Sequence, residues 1–331
     1  QNGDFYMNEA TTNGFRIGEK GDGSDYFDGY MSHVHFVDGA AYQASTFGST
    51  DANTGEWIIN TSPTVTYGTN GFFLKMEDGT NMDLDSSPNN LTFSTNGNLN
   101  LSQDNPSNNF PIISIITGNA LELQKGGLKS VTNNGETSTK NPRFISTLGY
   151  NTGKFYWETK ISTFSTGSGH SIGLFRTSTG HLPVVGGGSA DTGQGVGSNH
   201  ISLYFGENTP YIGHYGSNVQ SGSVGSFSSG DIIGISHDLA NGNFIFYKNG
   251  SQIGTTITSM SSSGDGYMYF PQWTFESKSS GRYCTMEWNL GNGFFGTTAI
   301  SSAGTNASTF GIFEYDVPAN HSALCTKALN L

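Results

Sequence analysis

The sequence predicts an all-β protein built of tandem antiparallel β-sandwiches, with helix below roughly 10%. Three observations lead there. Apolar residues recur with a period of two almost throughout, in short runs bounded by Gly, Asn, Asp or Ser. Gly accounts for 47 of 331 residues and charged residues for only 12%, against usual shares of about 7% and about 25%. Ser, Thr and Asn therefore take surface places that Glu and Lys would hold on helices. Asn-Gly pairs at 241–242 and 249–250 supply the positive-φ chemistry of tight turns between strands.

The elements follow in chain order. Phe15 and Ile17 alternate with polar neighbours. After a Gly- and Asp-rich turn, Tyr30, Ser32, Val34 and Phe36 share one face, and Met31, His33, His35 and Val37 share the other. The runs "TGEWIIN" and "YGTNGFFLKM" read as further strands. A polar stretch, 77–109, has few large side chains and reads as loop or edge structure crossing between two domains. In "GKFYWETKI", Phe155, Trp157, Thr159 and Ile161 face one way, and Tyr156, Glu158 and Lys160 the other. "HSIGLF", "HISLYF" and "PYIGHY" continue the pattern, separated by Gly- and Ser-rich loops at 186–197 and 217–230. Ile233 and Ile235 lie on a strand that turns at Asn241-Gly242 into a second carrying Phe244 and Phe246, and Asn249-Gly250 turns the chain again. Trp157, Ile233, Ile235, Phe244 and Phe246 are the expected core.

Composition also excludes partners. The formal charge of −12 repels a phosphate backbone, so nucleic acid is no expected partner. No run approaches the ~18 apolar residues that span a bilayer. No signal peptide is visible, and because the chain opens on Gln1, further sequence upstream is expected. Cys284 and Cys325 are too few for a disulfide framework and read as unpaired small apolar residues.

Two motifs carry a resemblance. Gly153–Glu158 reads G-K-F-Y-W-E, and the stretch from Asp231 to Gly250 reads DIIGISHDLANGNFIFYKNG. In this order they resemble a SPRY domain, over about residues 110–296. The resemblance implies a bent two-sheet sandwich that binds partners through loops at one end. The loop 186–197 is far richer in Gly than in the animal immune members, so no peptide-binding residue is carried over. Residues 1–48 resemble the closing strands of a laminin-G or concanavalin A-like sandwich, with 49–109 as the crossing segment and 297–331 as a tail or connector to a further module. The order of these modules resembles virion structural proteins of tailed, especially marine, bacteriophages.

Each chemical candidate has a plainer reading. Gly169-His170-Ser171-Ile172-Gly173 matches a nucleophile elbow, but no helix follows it, so it reads as the start of a strand. His33 and His35 have a spacing that can hold zinc, but further ligands must come from elsewhere, and the pair reads as two polar side chains on a solvated face. Asp22, Asp25 and Asp28 crowd one loop and are weak calcium candidates against an ordinary Asp-rich turn. Gly193, Gly195 and Gly197 lack the setting of a phosphate loop. Asp83 and Asp85 share a parity, but no paired-carboxylate stretch of a polysaccharide hydrolase occurs. Tyr211, His214, Tyr215 and Trp273 are candidate ligand contacts through ring stacking, and read otherwise as core or rim packing.

The expected function is that of a non-enzymatic bacteriophage structural protein, a tail fibre or surface decoration on the virion. It would act in adhesion to host surface glycans or in virion assembly, with no cofactor. Its expected partners are other copies of itself, a trimer being favoured by resemblance, and neighbouring virion proteins. The edge near 5–17 would be completed by upstream chain or another subunit. Two alternatives stand beside this: a polysaccharide-degrading tailspike, and a cellular SPRY adaptor binding a peptide.

Overall fold

The computed structural model describes residues 16–19, 27, 31–52, 55, 57–78, 81–95, 99, 104, 108–117, 121–132, 143–167, 169–178, 200–206, 209–214, 217–221, 224–258, 265–276 and 283–329. The chain divides into two compact units, 1–101 and 102–331. Strands make up most of the described part of the second unit and a small part of the first. Among the described residues, α-helix is confined to α1 (Ala44–Phe47) and α2 (Thr326–Leu329).

In the first unit, β1 (Val34–Phe36) pairs antiparallel with β4 (Phe72–Leu74), and β2 (Gly48–Thr50) pairs with β3 (Trp57–Ile59). Its buried apolar side chains are Tyr67, Phe72, Phe73 and Leu74. His33 has φ +53°, so the alternation expected from Met31 to Val37 breaks there. The expected solvated face is in fact half-buried. His35 stacks on Phe73 at 4.0 Å between ring centroids, and its Nδ1 lies 2.9 Å from Tyr67 Oη. The polar stretch after β4 is organised by one carboxylate. Buried Asp85 accepts hydrogen bonds from the amides of Phe73, Ser87 and Leu91 and from Ser87 Oγ. Burial alone would raise its pKa, but these donors outweigh burial and hold it below the ordinary value.

The second unit is a sandwich of two antiparallel sheets. One has seven strands in the order β13-β12-β11-β10-β17-β8-β5. These are β5 (Ile113–Thr117), β8 (Arg143–Ser146), β10 (Gly169–Ser178), β11 (His200–Phe205), β12 (Tyr211–His214), β13 (Ser217–Ser221) and β17 (Tyr267–Glu276). The other runs β16-β15-β14-β9-β18-β7-β6. It contains β6 (Leu121–Gln124), β7 (Lys129–Thr132), β9 (Lys154–Phe164), β14 (Ile232–Asp238), β15 (Asn243–Lys248), β16 (Ser251–Ile257) and β18 (Cys284–Asn289). Two short strands, β19 (Phe294–Phe295) and β20 (Thr298–Ala299), pair with each other, and β21 (Ser322–Ala323) adds to β9.

The core lies between the sheets. Trp157, Ile233, Ile235 and Phe244 are fully buried and Phe246 is 1% exposed, as the alternation predicts. From the facing sheet come Ile172, Leu174, Leu203, Phe205 and Trp273. Cys284 and Cys325 form no disulfide and are buried in apolar surroundings.

Two turns differ from their expected form. The Asn241-Gly242 connection is a four-residue loop, because Asp238 pairs with Asn243 across it. Leu239 is drawn wholly into the core, and Asp238 Oδ1 accepts the amide of Asn241, so the turn opens to fit both. Asn249-Gly250 is the two-residue turn, with φ of +48° and +78° between paired Lys248 and Ser251. The stretch 217–230, expected as loop throughout, begins with β13 at the edge of the seven-stranded sheet.

The segment 297–331, expected as a tail or connector, packs onto the sandwich. Beyond the end of β18 at Asn289, β21 takes the place beside β9 and pairs parallel to it, Ser322 with Phe155 and Ala323 with Tyr156. Leu324 enters the main core, whereas Phe313, Ala323 and Cys325 join Phe110 and Tyr156 in a second cluster on the opposite face of the eight-stranded sheet.

Candidate functional site

One end of the sandwich gathers polar and aromatic side chains from separate strands. The pairing of β10 with β17 sets Ser178 opposite Tyr267 and Arg176 opposite Tyr269. An isolated bridge joins Tyr150 to Tyr269, and in the other sheet Lys154 lies opposite Asp238. The connections 147–153 and 239–242, the end of β16 at Ile257 and the start of β17 at Tyr267 therefore lie at this same end.

Three polar arrangements underlie the rim. Tyr150 Oη lies 2.9 Å from Nδ1 of buried His237. Burial pushes His237 down to about 3, so its imidazole is neutral across the physiological range. Lys154 Nζ meets Asp238 Oδ2 at 2.8 Å, and Asn241 Nδ2 donates to that same oxygen at 2.8 Å. Tyr269 Oη donates to Asp265 Oδ2 at 2.5 Å. His321, from the C-terminal segment, stands near the Lys154–Asp238 pair, and burial lowers its pKa. At the surface, the Arg176 guanidinium lies 4.2 Å from the ring centroid of half-buried Tyr267. An Arg stacked on a Tyr above a fixed polar layer is suited to non-covalent recognition, since these two residue types dominate binding energy at interfaces.

Of the four expected ligand contacts, the structure describes the side chains of Tyr211 and Trp273, and these two lie on opposite faces of the seven-stranded sheet. Tyr211 is half-buried and stacks on Tyr204 at 4.8 Å between centroids. His214 pairs through its backbone with Ile201. Its side chain lies outside the described residues, as does the whole of Tyr215. Trp273 is 0% exposed and stacks on Phe144 at 4.7 Å. It is a core residue, because β17 alternates and position 273 falls on the inner face, so it offers no ring to a sugar.

The catalytic and metal candidates are equally dispersed. Ser171 is fully buried in mid-strand, with Tyr204 and Thr274 on either side, and no strand-to-helix turn exists there. The buried carboxylates Asp85, Glu158 and Asp238 each hold structural hydrogen bonds in different places. Nδ1 of His33 faces Ser32 Oγ and Nδ1 of His35 faces Tyr67 Oη. No group of three potential ligands surrounds a common point among the described residues. Asp22, Asp25 and Asp28, and the glycines at 193, 195 and 197, lie outside those residues.

Sequence reasoning missed the Arg176–Tyr267 stack, which joins residues 91 positions apart. No local signal marks that pairing, since the two residues sit at the ends of strands far apart in sequence.

The SPRY domain family matches residues 154–287. Among solved structures, the SPRY domain of human HERC1 aligns at 16% identity and TM-score 0.38, over 51% of this chain and 92% of that one. The TRIM65 PSpry domain aligns at 16% and 0.39, over 54% and 88%. Stonustoxin aligns at 16% and 0.37, over 54% of this chain and 27% of the toxin. No curated protein matches the sequence.

Proposed function

We propose, from the SPRY domain matched at residues 154–287, that this chain is a non-catalytic binding protein that recognises a protein partner through the loop end of its sandwich. The observation that supports it most is the half-buried Arg176–Tyr267 stack, set on a rim whose lower layer is fixed by the Tyr150–His237 and Lys154–Asp238 pairs. A rigid layer below a stacked cation limits the ordering cost of binding. The setting we propose is the surface of a virion, in line with the module order of the sequence.

A second reading, glycan adhesion, has one observation in its favour. Half-buried Tyr211 stacks on buried Tyr204 on the outer face of the seven-stranded sheet, so Tyr211 alone of the pair offers part of its ring. Low charge suits weak contacts repeated over many copies.

The test is panning of a displayed random-peptide library against the full chain, alongside a glycan array. Peptide binding that falls at least about tenfold in Arg176→Ala and Tyr267→Ala, with melting unchanged, supports the first reading. Glycan binding lost in Tyr211→Ala supports the second instead. Peptide binding indifferent to Arg176 and Tyr267 overturns the loop-end site.

A further inference from the structure

Glu158 is fully buried on the outward side of β9, in the GKFYWE motif. None of the ion pairs among the described residues involves it. Its Oε1 accepts Tyr156 Oη at 3.0 Å and the amide of Tyr315 at 2.9 Å, and its Oε2 accepts the amide of Glu314 at 2.9 Å. Two of the three donors thus come from a segment more than 150 residues downstream. That segment lies across the sheet. Phe313 meets Tyr156 edge-on at 5.0 Å, and Tyr315 lies against Gly250, where a Cβ would come within 2.6 Å of its ring. Its own fold is tied by the amide of Gly304 to Phe313 O and the amide of Val317 to Thr305 O.

We propose that residues 301–316 form a strap over the outer face of the eight-stranded sheet, latched by the Glu158 carboxyl and loosened as that carboxyl ionises. The groups facing Glu158 are Tyr156 on its own strand, Tyr247 on β15, and Glu314 and Tyr315 on the strap, with Asp231 beyond Tyr315. These five are neutral or acidic; of the nearby cations, Lys160, next on the same face of β9, lies over the ring of Phe295, and Lys248 is paired with Asp231. Burial pushes Glu158 up to about 7, aided by the Glu314 charge and opposed by the three donors. The sign follows from linkage. The closed strap favours the protonated acid, so closure is strongest below the free carboxyl's pKa and weakens as pH rises through the value in the closed state, levelling off above it. β21 and α2 remain anchored, because Leu324 sits in the main core and the amide of Thr326 bonds to Asn109 O.

Amide hydrogen exchange of the full chain, corrected for the intrinsic pH dependence, tests this. Protection of peptides covering 304–317 should fall by roughly tenfold or more between about pH 5 and about pH 7, then change little. Peptides from the 231–250 hairpin should keep their protection throughout. Glu158→Gln, which cannot ionise, should abolish the pH response of the strap. Glu314→Gln, which removes the neighbouring charge, should make it shallower, and serves if the first variant does not fold. Strap protection that stays flat in the wild type overturns the proposal. So does a response that persists in Glu158→Gln, or one shared equally by the hairpin.

Discussion

Gly234 and Tyr156 are packed so closely that a Cβ on Gly234 would stand 2.5 Å from Tyr156 Oη. The first residue belongs to the DIIG motif and the second to GKFYWE, on neighbouring strands. Gly at 234 is thus required by a side chain, not by a turn. Tyr156 is 1% exposed and its hydroxyl is bonded to Glu158, so it cannot swing aside. Gly234→Ala should therefore destabilise the protein by about 1–3 kcal/mol, the usual cost of overpacking. In a Tyr156→Phe background, which lacks the obstructing oxygen, the added cost should shrink. Equal costs in the two backgrounds, by thermal or denaturant unfolding, would show that the clash is not the cause.

The Lys154–Asp238 pair joins the same two motifs at the other end of their strands. Burial would raise Asp238, but hydrogen bonds from Lys154 and Asn241, and the Lys154 charge, hold it below the ordinary value. A depressed carboxyl contributes stability above its unfolded pKa and loses it as pH falls through the folded value. Asp238→Asn should cost about 1–3 kcal/mol at neutral pH and flatten the acid limb of the stability curve below about pH 4. An acid limb identical to wild type would assign that slope to other carboxylates.

Removing residues 297–331 should prevent stable folding, not merely trim a connector. The cut deletes Leu324 from the main core, and Phe313, Ala323 and Cys325 from the second cluster. It also opens one edge of the N-terminal end of β9, which then pairs only with β14. A truncated chain ending at Gly296 should be aggregated or lack a cooperative transition. A sharp transition close to that of the full chain would contradict the packing.

Trp157→Ala and Trp273→Ala should each cost about 3–5 kcal/mol, as for other large aromatics deleted from a core. Both rings are 0% exposed. Any loss of binding in Trp273→Ala should accordingly follow the unfolded fraction on changing temperature. Binding lost while the fold is intact would return Trp273 to the recognition surface.

The strands were legible because their signal is local. Alternation of Ile233 and Ile235 with polar or small neighbours, and of Phe155, Trp157 and Ile161, assigns the inward face of a strand without knowledge of its partner. The turn at Asn249-Gly250 was legible for the same reason. Asn241-Gly242 misled, because the burial of Leu239 and the acceptor at Asp238 are demands made by the rest of the sandwich.

The sequence by itself determined the all-β class, the hairpin of residues 231–250, the five central core residues and the absence of a disulfide between the two cysteines. Each follows from period, composition or residue type. Only the tertiary structure decided which aromatics are accessible, as the contrast between Trp273 and Tyr267 on one strand shows. Only it could show that Glu158 holds the backbone of Glu314 and Tyr315, and that a C-terminal strand completes the sheet beside β9. These pairings join residues more than 150 positions apart. Hydrogen-bond partners at such separations leave no local periodicity, because any polar face can receive any complementary backbone that the fold brings to it.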